Sequence, residues 1–142
     1  MQPARIPLYF VQFGHSCLAL SLGMIHAHVR ERERAVGRER FAPRFLLSPT
    51  PAEVERAEPG IWLFPNYIWS FELNMEVSRL VKRSSAASVT VHGGPSAPKY
   101  PGACEAFLRT QSHVDGSVRG EGEVTAAARL DHLARPHGAG AD

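Results

Sequence analysis

Four short segments of the sequence combine glycine, polar and aromatic residues directly after apolar runs. They are Gly14-His15-Ser16-Cys17, Pro65-Asn66-Tyr67-Ile68-Trp69, Gly93-Gly94-Pro95 and Arg119-Gly120-Glu121-Gly122-Glu123. Glycine permits close backbone approach to a ligand because it has no Cβ, and aromatic side chains offer flat apolar surface. Such residues suit binding of a large ligand, and we expect no catalytic residue among them.

Other chemistries fit the motifs poorly. GHSCL lacks the last glycine of the G-x-S-x-G nucleophile elbow, and no G-x-G-x-x-G dinucleotide fingerprint follows the first apolar run. A phospho-acceptor receiver domain would need acidic residues where the chain has Gly14-His15 and Asn66-Tyr67. The isolated pair His15/Cys17 predicts no metal site. Neither do His26 and His28, which do not share a helix face.

Composition favours one globular domain. The chain has 142 residues, of which 44% are hydrophobic and 21% charged, with a net charge of +2. The small charge does not indicate a nucleic-acid partner, and two cysteines are too few for a disulfide framework. No apolar run is long enough to cross a membrane, and the start does not resemble a signal peptide. We therefore expect a cytoplasmic protein.

Apolar runs and helical periodicities alternate along the chain. The predicted strands are Ile6–Phe13, Phe41–Leu47, Ile61–Tyr67, Ser88–Gly94 and Val114–Val118. Pro43 predicts that the second strand lies at an edge. Predicted helices begin after Cys17 and cover 51 to about 58, 71 to about 82, 103–109 and 124–134. The charged run from Arg30 to Arg40 is interpreted as a solvated helix end and loop.

Two helix starts carry capping signals. Thr50-Pro51-Ala52-Glu53 is a capping box with proline at the first helical position, and Ser70 is a candidate cap for the next helix. Five successive β-α units predict a doubly wound α/β domain over residues 1–135, with a five-stranded parallel sheet and helices on both faces. Residues 136–142 are expected to be a disordered tail. Ligands of such folds bind beyond the carboxyl ends of the strands, where all four segments would gather.

At this point the motifs resemble a known family. HGGP followed by VDGSVRGEGEVT is similar to the cobalamin-binding domain that precedes the catalytic domain of cobalamin-dependent radical SAM enzymes. LALSLGMIHAHV resembles that family's first helix, and LFPNYIWSFELNMEVSRLVK its third strand and helix. The resemblance runs from Ile6 to Leu133, nearly the whole chain.

The chain departs from the wider cobalamin fold, which carries Asp-x-His-x-x-Gly, Ser-x-Leu and Gly-Gly. Gly93 and Gly94 match the last motif, but Pro65-Asn66-Tyr67 lacks the serine and the leucine. If Gly23 is the glycine of the first motif, Leu18 and Leu20 stand in the Asp and His places. Radical SAM relatives often lack this histidine, so its absence favours that branch over the mutases and methionine synthase.

The resemblance implies cobalamin as the cofactor and a set of contacts around it. The implied cofactor-binding residues are Ser16, Cys17, Leu18, Ser21, Gly23, Asn66, Tyr67, Ile68, Trp69, Gly93, Gly94, Pro95, Arg119, Gly120, Glu121, Gly122 and Glu123. The chain has no C-x-x-x-C-x-x-C motif, so the Fe–S cluster and S-adenosylmethionine would belong to a radical SAM catalytic domain or subunit acting as partner. The chain would then be a fragment, a truncated product or a subunit.

Plainer interpretations remain beside this one. Gly93-Gly94-Pro95 also fits an ordinary turn, and Glu121 and Glu123 also fit a solvated helix entry. Trp62 and Trp69 are of a type that more often packs in a core. The alternative function is a degenerate doubly wound domain with a structural or protein-interaction role and no corrin binding.

Overall fold

The computed structural model describes residues 4–14, 20–119 and 122–135. Strands and helices alternate throughout these residues. The strands are β1 (Ile6–Gln12), β2 (Phe41–Leu47), β3 (Ile61–Pro65), β4 (Val89–Gly93) and β5 (Gly116–Ser117). The helices are α1 (Leu20–Val36), α2 (Pro51–Arg56), α3 (Phe71–Ser84), α4 (Pro101–Thr110) and α5 (Glu123–Leu133).

The five strands form one parallel sheet in the order β2-β1-β3-β4-β5. From β1 the chain crosses to β2 at one edge of the sheet, and it then returns past β1 and proceeds through β3 and β4 to β5 at the other edge. This is the doubly wound arrangement, with its switch point between β1 and β3. The predicted fold class is therefore confirmed. Strand β2 lies at an edge, as Pro43 predicted.

Helices cover both faces of the sheet, and the central strands divide their side chains between two cores. Leu8 and Phe10 of β1 pack in the core under α1 and α5, whereas Tyr9 and Val11 pack in the core under α2 and α3. Strand β3 alternates in the same way, and all five of its residues are buried. A strand buried on both faces explains the uninterrupted apolar run of its sequence.

Helix α1 continues through the charged run to Val36, and a loop follows from Gly37 to Arg40, so the run is a helix end and loop as predicted. Glutamate and arginine are good helix formers, and the helix ends where Gly37 adopts a φ of +66°. The N–H of Gly37 donates to the carbonyl of Arg34, and that of Arg38 to the carbonyl of Glu33, which is a Schellman ending. A glycine at position 37 is the sequence feature that indicates this end of the helix.

The two predicted helix caps have different outcomes. Thr50 Oγ1 accepts a hydrogen bond from the Glu53 N–H at 3.3 Å, with Pro51 at the first helical position, as predicted. Ser70 precedes α3, but its side chain does not cap that helix. Instead its hydroxyl donates to the carbonyl of Pro65 and accepts from the N–H of Tyr67, both at 3.1 Å. Ser70 thus closes the loop after β3.

The fifth strand is shorter than the predicted Val114–Val118. Asp115 Oδ2 accepts a hydrogen bond from the Thr90 N–H at 2.9 Å. A side chain therefore takes a donor of β4 that a backbone carbonyl would otherwise use, and regular pairing begins only at Gly116. Because the backbone pairing is short, side-chain hydrogen bonds such as this one help to hold β5 to β4.

Candidate functional site

The carboxyl ends of the parallel strands lie along one edge of the sheet, which we call the rim. At the switch point the chain leaves β1 toward α1 on one face and β3 toward α3 on the other, which is where ligands of open α/β sheets bind. A methyl group on Gly14, just after β1, would lie 3.7 Å from Trp69 Nε1. The loop after β3 therefore approaches the end of β1 at this point.

A cleft of about 380 Å³ opens at the rim between the sheet and helices α1 and α5. Apolar side chains from both helices and from the strand ends form its walls: Leu22, Ile25, Leu63, Val91, Val118 and Ala126. Its mouth is formed by Tyr67, Gly93, Gly94, Lys99, Gly122 and Glu123. Apolar walls with a few polar groups at the mouth are typical of a small-molecule site.

The turn after β4 fits tightly against the end of β3. Gly94 has a φ of +88°, and a methyl group there would lie 2.7 Å from the carbonyl oxygen of Asn66 and 2.9 Å from its nitrogen. The Asn66 N–H donates to the Gly93 carbonyl at 2.7 Å, and the Ser96 N–H donates to the Asn66 carbonyl at 2.9 Å. Only glycine meets both demands at position 94, the left-handed backbone and the close approach.

An aromatic pair stands at the rim above this turn. The rings of Tyr67 and Trp69 stack with centroids 4.8 Å apart and planes 5° from parallel. Ile68 between them is 87% exposed and Trp69 is 65% exposed, so a broad apolar surface faces outward. Trp62 by contrast is fully buried and stacks on Tyr9. The two tryptophans therefore differ in role, one in the core and one at the rim.

A second, more polar groove adjoins the cleft at the β5 edge and shares Lys99 with it. The groove measures about 520 Å³ and is lined by Lys99, Ser117, Arg119 and Thr125. Ser117 Oγ is buried and has no hydrogen-bond partner within the described part of the chain. Two cations and two hydroxyls give this side of the rim an affinity for anionic or amide groups.

His92, beneath the rim, is fully buried. Burial, together with the smaller effect of the neighbouring His113, lowers its pKa to about 3. His92 is therefore neutral across the physiological range. Its ring stacks on Phe64, with centroids 4.6 Å apart, on the α3 side of the sheet. His92 is among the residues that line the cleft, and both of its imidazole nitrogens face partners inside the protein, Asn66 and Ser78.

The structure brings together only part of the implied contact set. Tyr67, Gly93, Gly94, Pro95, Gly122 and Glu123 line the cleft. Ile68 and Trp69 flank it on the exposed rim, and Arg119 lies in the adjoining groove. Asn66 is completely buried beneath the rim. Gly23 is exposed on α1 with open space around it.

The remaining predicted contacts are not described. Ser16, Cys17, Leu18, Gly120 and Glu121 lie outside the described residues, as do His15 and the side chain of Ser21. Their contact with a cofactor stays a prediction.

Residue patterns did not identify the cleft walls as part of a site. Leu22 and Ile25 had the spacing of an ordinary core-facing helix, which they also are, because the cleft is an opening at the end of that core. Lys99 lies in the loop between β4 and α4 and carried no motif. A rule that every residue just beyond a strand end is a candidate would have included it.

The described ranges contain no cluster of three or more histidine, cysteine, aspartate or glutamate side chains suited to hold a metal ion. No helix in them is long and apolar enough to cross a membrane.

No protein-family model matches the chain. Two curated proteins are similar to it. Over 120 residues it is 32% identical to the cobalamin-dependent radical SAM methyltransferase TokK of Streptomyces tokunonensis, which covers 82% of this chain and 17% of TokK. Over 109 residues it is 32% identical to the 2-(S-pantetheinyl)-carbapenam-3-carboxylate methyltransferase of Streptantibioticus cattleyicolor, which covers 75% of this chain and 16% of that enzyme.

The chain resembles one region of these methyltransferases. It spans less than a fifth of the length of either relative. The similarity covers most of the doubly wound sheet and agrees with the resemblance that the rim motifs indicated. The remainder of each relative has no counterpart in this sequence.

Proposed function

We propose that the chain is a cobalamin-binding module of the kind found in cobalamin-dependent radical SAM methyltransferases. The observation that carries this proposal is the apolar cleft of about 380 Å³ at the rim, with the Gly93-Gly94 turn at its mouth. The similarity to a cobalamin-dependent enzyme selects the ligand among those that such a cleft would accept.

The cleft suits the nucleotide tail of cobalamin. Its apolar walls complement a flat benzimidazole base, and the Gly93-Gly94 backbone leaves room for the ribose and phosphate because no side chain intervenes. Lys99 at the mouth offers a cation to the phosphodiester. The residues present therefore fit the tail in shape, polarity and charge.

The corrin ring would lie on the rim itself. Tyr67 and Trp69 provide stacked aromatic surface, Ile68 adds exposed apolar area, and Arg119 offers donors to the amide fringe of the ring. Cobalamin, when bound, supplies a cobalt centre that can carry a methyl group. The role of this chain is to hold and orient the corrin and to exclude water from its lower face.

The chemistry would need a partner. A radical SAM domain or subunit would hold the Fe–S cluster and S-adenosylmethionine, and it would cover the open side of the rim. The 87% exposure of Ile68 and the 65% exposure of Trp69 are consistent with a surface that a ring and a partner together bury. We expect no catalytic side chain in this chain, no nucleic acid, and a cytoplasmic location.

The test is direct binding. The purified chain is mixed with hydroxocobalamin, free ligand is removed by gel filtration, and the visible spectrum of the protein peak is recorded. A corrin band near one equivalent supports the proposal. A colourless peak from a chain that circular dichroism shows to be folded would overturn independent cobalamin binding.

The second candidate is an interaction domain that does not bind corrin. The exposed Ile68 and Trp69 favour it, because apolar rim residues also suit a protein partner. A colourless gel-filtration peak that elutes as a dimer, and returns to a monomer on Ile68→Ser, would support this alternative.

A further inference from the structure

A chain of hydrogen bonds between polar side chains runs beneath the rim and across the α3 face of the sheet. Four of its six side chains are completely buried, His113 is 8% exposed, and Gln111 is half-buried. It begins at α3, passes the ends of β3 and β4, and leaves through the segment before β5. In order its members are Asn74, Asn66, His92, Ser78, His113 and Gln111.

The first links fix where the proton of His92 lies. Asn74 Nδ2 donates to Asn66 Oδ1 at 2.9 Å, so the amide oxygen of Asn66 is used as an acceptor. The amide nitrogen of Asn66 then faces His92 Nδ1 at 3.0 Å. An amide nitrogen only donates, so Nδ1 must be the bare acceptor nitrogen of the imidazole. A neutral His92 therefore carries its proton on Nε2.

The proton order continues along the chain. His92 Nε2–H donates to Ser78 Oγ at 2.9 Å. Ser78 Oγ also donates to the carbonyl of His113 at 3.2 Å and lies 2.9 Å from His113 Nδ1. His113 Nε2 in turn lies 3.2 Å from Gln111 Oε1. From Asn74 to Ser78 every donor points the same way.

Asn66 links this order to the rim. Its backbone N–H and carbonyl bond to Gly93 and Ser96, and its side chain bonds to His92 and Asn74, so all of its polar groups are paired. Asn66 therefore joins the end of β3, the turn after β4 and helix α3. The loop bearing the stacked Tyr67–Trp69 pair begins at the next residue.

We propose that Asn66 and His92 are positioning residues of the rim site. His92 Nδ1 accepts from the Asn66 amide and so fixes the orientation of that side chain. Asn66 in turn holds the Tyr67–Trp69 loop against the Gly93-Gly94 turn. The side-chain polar atoms of both residues are hydrogen-bonded within the protein. The effect on corrin affinity rests on the proposed function, whereas the proton order and the loop geometry are properties of the unliganded protein.

The proton order is tested by 15N–1H correlation spectra of the histidine side chains in the unliganded chain. His92 is expected to be protonated at Nε2. Asn66→Asp replaces the amide donor by a carboxylate acceptor of the same shape, and an acidic partner draws the imidazole proton to the facing nitrogen. His92 should then be protonated at Nδ1. A wild-type His92 protonated at Nδ1, or a variant in which Nε2 keeps the proton, would overturn the inference.

The positioning role is tested with two buried serines. Ser78→Ala breaks the series of hydrogen bonds between His92 and His113. Ser88→Ala is the control, because it removes a buried hydroxyl that accepts from the Gly60 N–H and is not part of that series. Acrylamide quenching of Trp69 emission is expected to change in Ser78→Ala and Asn66→Asp but not in Ser88→Ala. Unchanged quenching in both Ser78→Ala and Asn66→Asp would refute the positioning role, whether or not corrin binds.

Corrin affinity provides the functional readout. Ser78→Ala and Asn66→Asp are expected to weaken hydroxocobalamin binding about tenfold, with Ser88→Ala close to wild type. If the wild-type chain binds no corrin, the proposed function fails while the spectra and the quenching still decide the inference. If corrin binds equally to all four proteins, the proposed function stands and the positioning role is wrong.

Discussion

The indole of Trp69 stacks on the phenol ring of Tyr67, with planes 5° from parallel, while two thirds of the indole residue stays exposed. A parallel stack of two side chains in one short loop keeps the apolar faces of that loop in a fixed orientation. Behind it, the hydroxyl of Ser70 ties the loop to the end of β3. The rim therefore presents an ordered aromatic surface rather than a loose apolar loop.

Trp69→Ala should separate binding from stability. Because Trp69 is 65% exposed, its loss is expected to change the free energy of unfolding by less than about 1 kcal/mol. Hydroxocobalamin affinity, measured by visible titration, should fall about tenfold. Val36→Ala, an exposed apolar residue at the end of α1 near the opposite edge, is the control and should bind as wild type. Equal affinities in the two variants would remove Trp69 from the site.

Two glycine variants distinguish the rim turn from helix α1. Gly94→Ala places a methyl group 2.7 Å from the Asn66 carbonyl at a φ of +88°, so we expect a loss of at least about 1–3 kcal/mol in urea unfolding. Gly23→Ala meets nothing within 4 Å in a helix interior and should stabilise the chain by about 0.5–1 kcal/mol. The two variants should therefore change the free energy of unfolding in opposite directions.

Gly23→Ala also tests a predicted contact. In the described residues Gly23 faces open space, so its alanine variant should bind hydroxocobalamin with unchanged affinity unless the ligand reaches this face of α1. A stable Gly23→Ala protein with a large loss of affinity would extend the site beyond the cleft to the outer face of that helix.

The fold was predictable because its signals are local. The apolar run at β3, the Thr50 cap of α2 and the edge proline Pro43 each depend on neighbours in sequence, and each was confirmed. Errors arose where tertiary bonds replaced local ones. Ser70 bonds back to β3 instead of capping α3, and Asp115 takes a β4 donor and so shortens β5. No periodicity in the sequence reports either bond.

The site was predictable to the extent that strand ends define it. Gly93, Gly94 and Tyr67 follow strands directly, and they line the cleft. The buried hydrogen-bond chain through His92 was not predictable, because bonded partners in it lie up to 35 residues apart and were assigned to separate elements. A histidine inside an apolar strand is the one hint that the sequence offered, since a buried imidazole needs partners for both nitrogens.

An acid-sensitive ion pair holds α1, β2 and α5 together. Asp131 of α5 accepts hydrogen bonds from Arg40, at 2.5 Å, and from Arg32. Burial alone would raise the pKa of Asp131, but the hydrogen bonds and charges of Arg40 and Arg32 outweigh it and lower the pKa below 3.8. The pair is therefore expected to stabilise the fold fully above pH 3.8 and to lose its effect as the pH falls below that value.

Asp131→Asn tests this pair. At pH 7 the variant should lose about 1 kcal/mol of unfolding free energy, since the groups are partly exposed. Below pH 3.8 wild type and variant should converge as Asp131 becomes protonated in the wild type. Urea unfolding at pH 7, 5 and 3 gives the comparison. A constant difference across the range would contradict a charge-based contribution.

The buried His92 should make the chain less stable as the pH falls from neutrality. Burial first, and then the charge of His113, lower its pKa from 6.5 to about 3 in the folded chain, while the unfolded chain keeps the ordinary value. Between these pH values the unfolded state binds one more proton, so this residue alone lowers the unfolding free energy by about 1.4 kcal/mol per pH unit on acidification. Burial also lowers the pKa of His113, which adds to the slope in the same direction.

His92→Gln removes the titrating ring but keeps a polar side chain at the site, and it should flatten the pH dependence between pH 6.5 and 4 relative to wild type. Urea unfolding at half-unit intervals measures both slopes. If the variant does not fold, His113→Gln is the substitute and should flatten the curve to a smaller extent. Parallel curves for wild type and a folded His92→Gln would mean that the pKa of His92 is the same in the folded and unfolded chain, contrary to its place as a neutral link beneath the rim.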